Sequence, residues 1–308
     1  MTKPSVVFFG TGPVAAKSLE LLLDHCEVEA VITKPKPPHH RGAFPVADIA
    51  NNNNLKTYEV TDKKSLSALV GSAKFESHIG VLIDFGIIVS QDVIDNFEKG
   101  IINSHFSLLP EWRGADPITF SILSGQRKTG VSLMLLVESM DEGPLLAVGV
   151  KELDGTETVT DLTNELIHLS DALLKKELPR YLSGESQGVE QSKMSEMIPN
   201  YPSKPSYSRK IAKQDGILDF SKTAEVLERE IRAFADWPKS RMNLNGIEIV
   251  VESAHITKRS GTPGDYEFSK NELVVFCEQD ALSIDSVKPA GKSSMPISAF
   301  LAGYRKKL

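Results

Sequence analysis

Cysteine is scarce in this 308-residue chain: only Cys26 and Cys277 occur, far apart in sequence and set in apolar surroundings. That excludes a disulfide framework and a clustered Cys zinc site, and the two read as buried thiols of a reducing compartment. Long hydrophobic runs are missing too; none approaches the roughly 20 residues of a membrane-spanning helix. The opening stretch MTKPSVVFFGTGP lacks the long apolar region and small-residue cleavage site of a signal peptide. A cytoplasmic protein with no membrane association is therefore expected. Positive charge is not in excess either, since 35 Lys+Arg face 41 Asp+Glu for a net −6. What excess exists lies late. Residues 204–308 hold 17 basic against 14 acidic side chains, and 1–203 hold 18 against 27. A local excess of that size is weak evidence for a nucleic-acid-facing module.

What is present is an alternating texture, over a length that favours two domains. β-rich runs at 5–10, 28–34, 79–86, 100–106 and 131–137 are separated by helix patterns such as 14–25 and 116–125. Such alternation predicts a mostly parallel, Rossmann-like α/β sheet covered on both faces. A further helix is predicted over about 161–182, capped by Thr160. The chain then turns rich in Ser, Gly, Pro and charge over 183–208 and reads as a linker. Beyond it, a helix pattern at 221–236 precedes several short strands, two of them joined at Asn245-Gly246, a strong hairpin signal. The predicted division is a catalytic domain over 1–183, a linker over 184–205 and a small OB-like β-barrel domain over 206–308.

Two tempting motifs fail on context. Gly10-Thr11-Gly12-Pro13-Val14-Ala15 fits the dinucleotide fingerprint, but the acid expected at the end of the second strand is replaced by Thr33-Lys34. Gly184-Glu185-Ser186-Gln187-Gly188 fits the nucleophile-elbow pattern, but it follows a helix and opens the polar stretch.

Asn103 and His105 are better placed. They share a parity at the carboxyl end of the 100–106 strand, where ligands gather in open α/β sheets. Asn offers amide donors to a developing oxyanion, and His transfers protons near neutral pH. The run 131–137 leads into Asp141, which is expected at the same rim on the neighbouring strand, where a carboxylate favours imidazolium. An Asn–His–Asp set without a Ser or Cys nucleophile suggests acyl transfer straight to a substrate nucleophile. The segment after His105 is broken by Pro110 and Gly114.

The ordered elements Asn103-Ser104-His105-Phe106-Ser107-Leu108-Leu109-Pro110, Trp112-Arg113-Gly114-Ala115-x-Pro117, Thr129-Gly130-Val131 and Asp141-x-Gly143 resemble the 10-formyltetrahydrofolate-dependent formyltransferases. Trp-Arg-Gly-Ala-x-Pro is similar to the methionyl-tRNA branch of that family. The likeness continues through Ile231-Arg232-Ala233-Phe234, Trp237-Pro238 and Pro289-Ala290-Gly291-Lys292, and so spans nearly the whole chain. It implies formyl transfer from 10-formyltetrahydrofolate to the α-amine of initiator methionyl-tRNA, for translation initiation, without a metal and by a monomer that binds no DNA. Asn103 and His105 would polarise the formyl group, and Asp141 would orient His105. The cosubstrate would be held by Leu82, Asp84, Phe85, Gly86, Ile87, Ile88 and Val89, largely through backbone groups, and by the strand-end segment Ser107, Leu108, Leu109 and Pro110. RNA contacts are expected from Lys34, Lys36 and Arg41 beside the rim and from Arg305, Lys306 and Lys307 at the end of the chain. The sequence departs from family habit at Asp84-Phe85-Gly86 (usually Ala-Tyr-Gly), at Glu111 (usually basic) and in a shortened loop after the second strand. A sugar-nucleotide N-formyltransferase, a formyltetrahydrofolate hydrolase or dehydrogenase domain and a non-catalytic RNA-binding protein on the same scaffold are the alternatives.

Overall fold

Runs such as SVVFF are apolar at consecutive positions, which suits a strand buried on both faces in a parallel sheet rather than an alternating half-exposed one. The computed structural model describes residues 3–36 and 44–308, so the expected RNA contact Arg41 lies outside the described residues. In chain order the elements begin with β1 (Ser5–Phe9), α1 (Pro13–Leu22), β2 (Glu27–Thr33), α2 (Pro45–Asn52), β3 (Thr57–Glu59), α3 (Lys63–Ser72), β4 (Gly80–Leu82), α4 (Gln91–Ile94) and β5 (Ile101–His105). Next come β6 (Arg113–Gly114), α5 (Pro117–Ser124), β7 (Lys128–Leu135), β8 (Leu145–Glu152) and α6 (Val159–Leu182). The rest holds α7 (Met194–Met197), β9 (Tyr207–Ser208), α8 (Ala224–Ala233), β10 (Ser240–Leu244), β11 (Ile247–Thr257), β12 (Tyr266–Phe268), β13 (Leu273–Phe276), β14 (Ala281–Pro289), β15 (Met295–Pro296) and α9 (Ile297–Tyr304).

The first sheet runs β3-β2-β1-β4-β5-β7-β8. Its first five strands pair in parallel, in the Rossmann half-order, and β7 then pairs antiparallel with β5. Local chemistry sets the helix starts. Pro13 opens α1 where a missing N–H costs nothing, and the Asp62 carboxylate caps α3 by accepting from Ser65 N–H at 2.8 Å. Chain order reverses between β1 and β4, so the crevice over their carboxyl ends is where this fold takes ligands.

The later strands form an antiparallel sheet, β10-β11-β14-β13-β12 with β15 beside β14, as expected of a small barrel. Asn245 and Gly246 turn the β10–β11 hairpin with φ of 46° and 85°, the left-handed pair that a tight hairpin requires. Leu227 and Ile231 of α8 pack with Val251, Leu282 and Phe300 in the core of this sheet.

The compact units cut the chain differently from the expected 1–183, 184–205 and 206–308. One unit holds 1–115, 128–151 and 163–208; the other holds 116–127, 152–162 and 209–308. The helix predicted over 116–125, α5, packs on α8. Arg229 Nε donates to Leu123 O at 3.2 Å, and Asp116 accepts from Ile211 N–H at 2.9 Å. A helix pattern shows that a face must be covered, not by which element. The polar stretch after α6 is likewise no free linker, because Gln191, Met194 and Tyr201 are buried in the first unit. Its few anchors are too scattered to make a periodic signal.

Candidate active site

β5 is buried along its whole length between β4 and β7. Ser104 Oγ meets Ser170 Oγ of α6 at 2.6 Å, so the alternate residues Asn103 and His105 turn to the opposite face. Both are buried, and Asn103 pairs with Leu82, the residue that ends β4.

His105 has two differently occupied nitrogens. Nε2 lies 2.9 Å from the carbonyl oxygen of Trp112. A carbonyl only accepts, so Nε2 carries the hydrogen. In the neutral ring the lone pair is then on Nδ1, which lies 3.7 Å from Asp141 Oδ1. Asp141 is thus a nearby counter-charge, and the Trp112 carbonyl is the group that fixes the ring. The other carboxylate oxygen of Asp141 accepts from Gly114 N–H at 2.7 Å.

Asp141 does not arrive by the expected route. β7 is antiparallel to β5, with Ser132 opposite His105 and Leu135 opposite Ile102, so β7 ends away from the rim that carries His105. The loop after β7 doubles back to bring Asp141 to His105. Gly143 makes that possible, because a Cβ there would lie 1.7 Å from the Leu135 carbonyl oxygen. Asp84, Trp112 and Asp141, all around the site, have positive φ of 49°, 55° and 53°. Such left-handed residues persist where surrounding contacts hold them.

Those contacts are dense after β5. Ser132 Oγ donates to Ser107 O at 2.7 Å and accepts from Leu109 N–H at 3.0 Å. Tyr201 OH donates to Leu109 O at 2.7 Å, and Trp112 N–H donates to Ser206 Oγ at 3.0 Å. Burial pushes the Tyr201 phenol up to about 12 and the Glu111 carboxyl above its ordinary range. Ser107, Leu108, Leu109 and Pro110 are all buried, the leucines in a cluster with Met134, Leu145, Met194 and Tyr201.

The segment 82–89 leaves β4 at the fold's crevice. Leu82 and Phe85 are buried, Phe85 edge-on to Phe9 at 5.6 Å. Three successive carbonyls are tied down: Asp84 O accepts from Thr11 N–H at 3.0 Å, Phe85 O from Thr11 Oγ1 at 2.8 Å and Gly86 O from Lys34 Nζ at 2.8 Å. Gly86 has φ of 66°, Ile87 and Val89 are partly buried, and Ile88 is 68% exposed. Lys34, expected to face RNA, is thus engaged with this loop. Lys36 is exposed, as are Arg305, Lys306 and Lys307.

The rejected motifs have other uses. A Cβ at Gly12 would lie 2.0 Å from Asp84 Oδ2, so Asp84 covers the start of α1 where a dinucleotide phosphate would sit. Ser186 follows α6 in a turn, its N–H donating to Arg180 O at 3.2 Å. A groove of about 430 Å³, lined by Phe97, Gly100, Leu136 and Tyr181 among others, lies at the amino end of β5, away from His105. Among the described residues no group of three or more His, Cys, Asp or Glu is arranged to hold a metal ion. No local pattern in the sequence announces Thr11, Gln191, Tyr201 or Ser206, because each acts through a few hydrogen bonds across long sequence separations.

A Rossmann-like sheet with an amide, an imidazole and a carboxylate at its rim, followed by a smaller antiparallel domain, fits the class of enzymes that move acyl groups to a nucleophile of the substrate. Within that class the chain belongs to the formyl transferase family, whose model matches residues 4–178, with the family's C-terminal domain matching 210–305. It is 33% identical to a methionyl-tRNA formyltransferase of Myxococcus xanthus, over 99% of this chain and 96% of that one. It is 31% identical to that of Magnetococcus marinus, over 100% and 97%. In fold it is similar to an N-formyltransferase from Helicobacter canadensis solved with folinic acid and dTDP-3-aminofucose: TM-score 0.65, 20% identity, 92% of this chain and 99% of that chain.

Proposed function

We propose that this protein transfers a formyl group from 10-formyltetrahydrofolate to the α-amino group of initiator methionyl-tRNA, as a monomer in the cytoplasm that binds neither DNA nor membrane. Full-length similarity to proteins of that name supports the acceptor. The observation that carries the chemistry is His105, held at Nε2 by the Trp112 carbonyl with Nδ1 facing Asp141. When bound, the cosubstrate supplies a formyl carbon on a nitrogen that leaves with its bonding pair. Asn103 offers an amide N–H to the formyl oxygen as negative charge grows there. His105 Nδ1 takes the proton that the attacking amine must lose and returns it to the departing nitrogen, and Asp141 stabilises the imidazolium in between. No protein nucleophile is required, because the amine is one.

The segment 82–89 fits a flat heterocycle. It is preset by the bonds from Thr11 and Lys34 and presents the exposed side chain of Ile88. Residues 1–183 carry the chemistry in this reading, and 206–308 bind tRNA, with Arg305, Lys306 and Lys307 among the phosphate contacts and Lys36 and Arg41 nearer the acceptor end. Offering the purified protein labelled 10-formyltetrahydrofolate with charged initiator tRNA, an amino-sugar nucleotide or water tests it. Label on the methionyl-tRNA alone is expected; transfer to the sugar or to water instead refutes the acceptor.

A further inference from the structure

Gln191 is 5% exposed, although it lies in a stretch whose composition reads as a linker. Its carboxamide is used at both ends. Nε2 donates to the carbonyl oxygens of Asp141 at 2.8 Å and Gly143 at 3.0 Å, and Oε1 accepts from Arg113 Nη2 at 2.8 Å. Arg113 Nη1 in turn donates to Glu142 at 2.7 Å. One side chain therefore grips the residues on either side of Glu142 directly, and Glu142 itself through Arg113. These are the residues at which the loop after β7 turns back, with Asp141 at a φ of 53°.

The chemistry of the clamp is selective. A carboxylate at 191 keeps the pairing with Arg113 but has no hydrogen to donate to either carbonyl. An apolar side chain of equal length loses all three bonds, and a cation would face the Arg113 guanidinium. The clamp is also short-range where it matters, because a misplacement near 1 Å at reacting groups costs roughly a hundredfold in rate.

We propose that Gln191 is a positioning residue for the reaction. It fixes the backbone of Asp141 so that the carboxylate stays within reach of His105 Nδ1, and the supposed linker is a strap that completes the active site. The inference rests on the reading of Asp141 as the counter-charge to His105. If Gln191 merely satisfied buried polar atoms, its loss would lower stability and leave turnover alone.

Q191E, with Q191M as a second variant, tests this against wild type and D141N. Amide hydrogen exchange over 139–143 reads the clamp, and steady-state formyl transfer reads its consequence. In Q191E, exchange in that loop rises about tenfold or more while the rest of the first unit stays protected. The kcat falls roughly 10- to 100-fold, and KM for 10-formyltetrahydrofolate stays within about twofold. In a D141N background Q191E adds less than about twofold, because the group it positions is already disabled. Unchanged exchange in both variants, wild-type kcat in a loosened loop, or losses that multiply with D141N would each overturn the proposal. A wild-type enzyme that formylates no acceptor defeats the functional reading instead, and the exchange data then decide the clamp by themselves.

Discussion

The carbonyl of Trp112 engages one nitrogen of His105, Nε2, and leaves Nδ1 as the one turned to Asp141. With Nε2–H committed to that oxygen, the mechanism proposed above sends the proton to Nδ1, where the Asp141 carboxylate 3.7 Å away would answer the charge. In D141N the amide still accepts from Gly114 N–H, so the fold is retained, but the counter-charge is gone. We expect kcat to fall about 10²- to 10⁴-fold, the range of a lost acid–base or electrostatic partner. Circular dichroism and thermal melting should be unchanged. Because the groups act as a unit, H105A combined with D141N should be little worse than either alone. Tyr201 marks the opposite case, a residue that serves stability. Tyr201→Phe leaves the buried Leu109 carbonyl without its 2.7 Å partner and should cost about 1–3 kcal/mol by denaturant titration, with kcat nearly kept.

Elements explain what the sequence shows and what it hides. The strand ending in Asn103 and His105 is legible because its apolar run and the parity of its polar residues are local facts. The formyltransferase likeness is legible for the same reason, as ordered short motifs. The direction of β7 is not, since VSLMLLV has the same pattern whether parallel or antiparallel, and so Asp141 reaches His105 by a returning loop. Nor is the fate of α5, whose pattern does not say which unit covers it. Gln191 leaves no periodic trace at all. Leu108 and Leu109 belong to a buried cluster with Met134 and Tyr201, and Leu109→Ala, at a fully buried position, should lower stability by about 2–5 kcal/mol. In the second unit, Arg209 donates two hydrogen bonds to Asp215 at 2.7 and 2.8 Å, and Ala212 N–H donates another. They hold that carboxyl down at about 2. A depressed carboxylate contributes stability that is present above its unfolded value of about 3.9 and lost as pH falls through the folded one. Asp215→Asn should therefore lower Tm near pH 6, with the difference from wild type fading between about pH 4 and 2.

At the scale of the whole molecule, an enzyme with net charge −6 must hold an anionic RNA through local positive charge. Arg305, Lys306 and Lys307 are exposed at the end of the chain. Removing them should reduce the slope of log affinity for tRNA against log salt by up to about 0.7–0.9 per phosphate that is no longer neutralised, leaving KM for 10-formyltetrahydrofolate in place. The rim of the first sheet is tested most directly by formyl transfer to methionyl-tRNA by H105A, measured beside equilibrium binding of the folate. In H105A, kcat should fall roughly 10²- to 10⁴-fold while folate binding is unchanged. Turnover at the wild-type rate in folded H105A would contradict it.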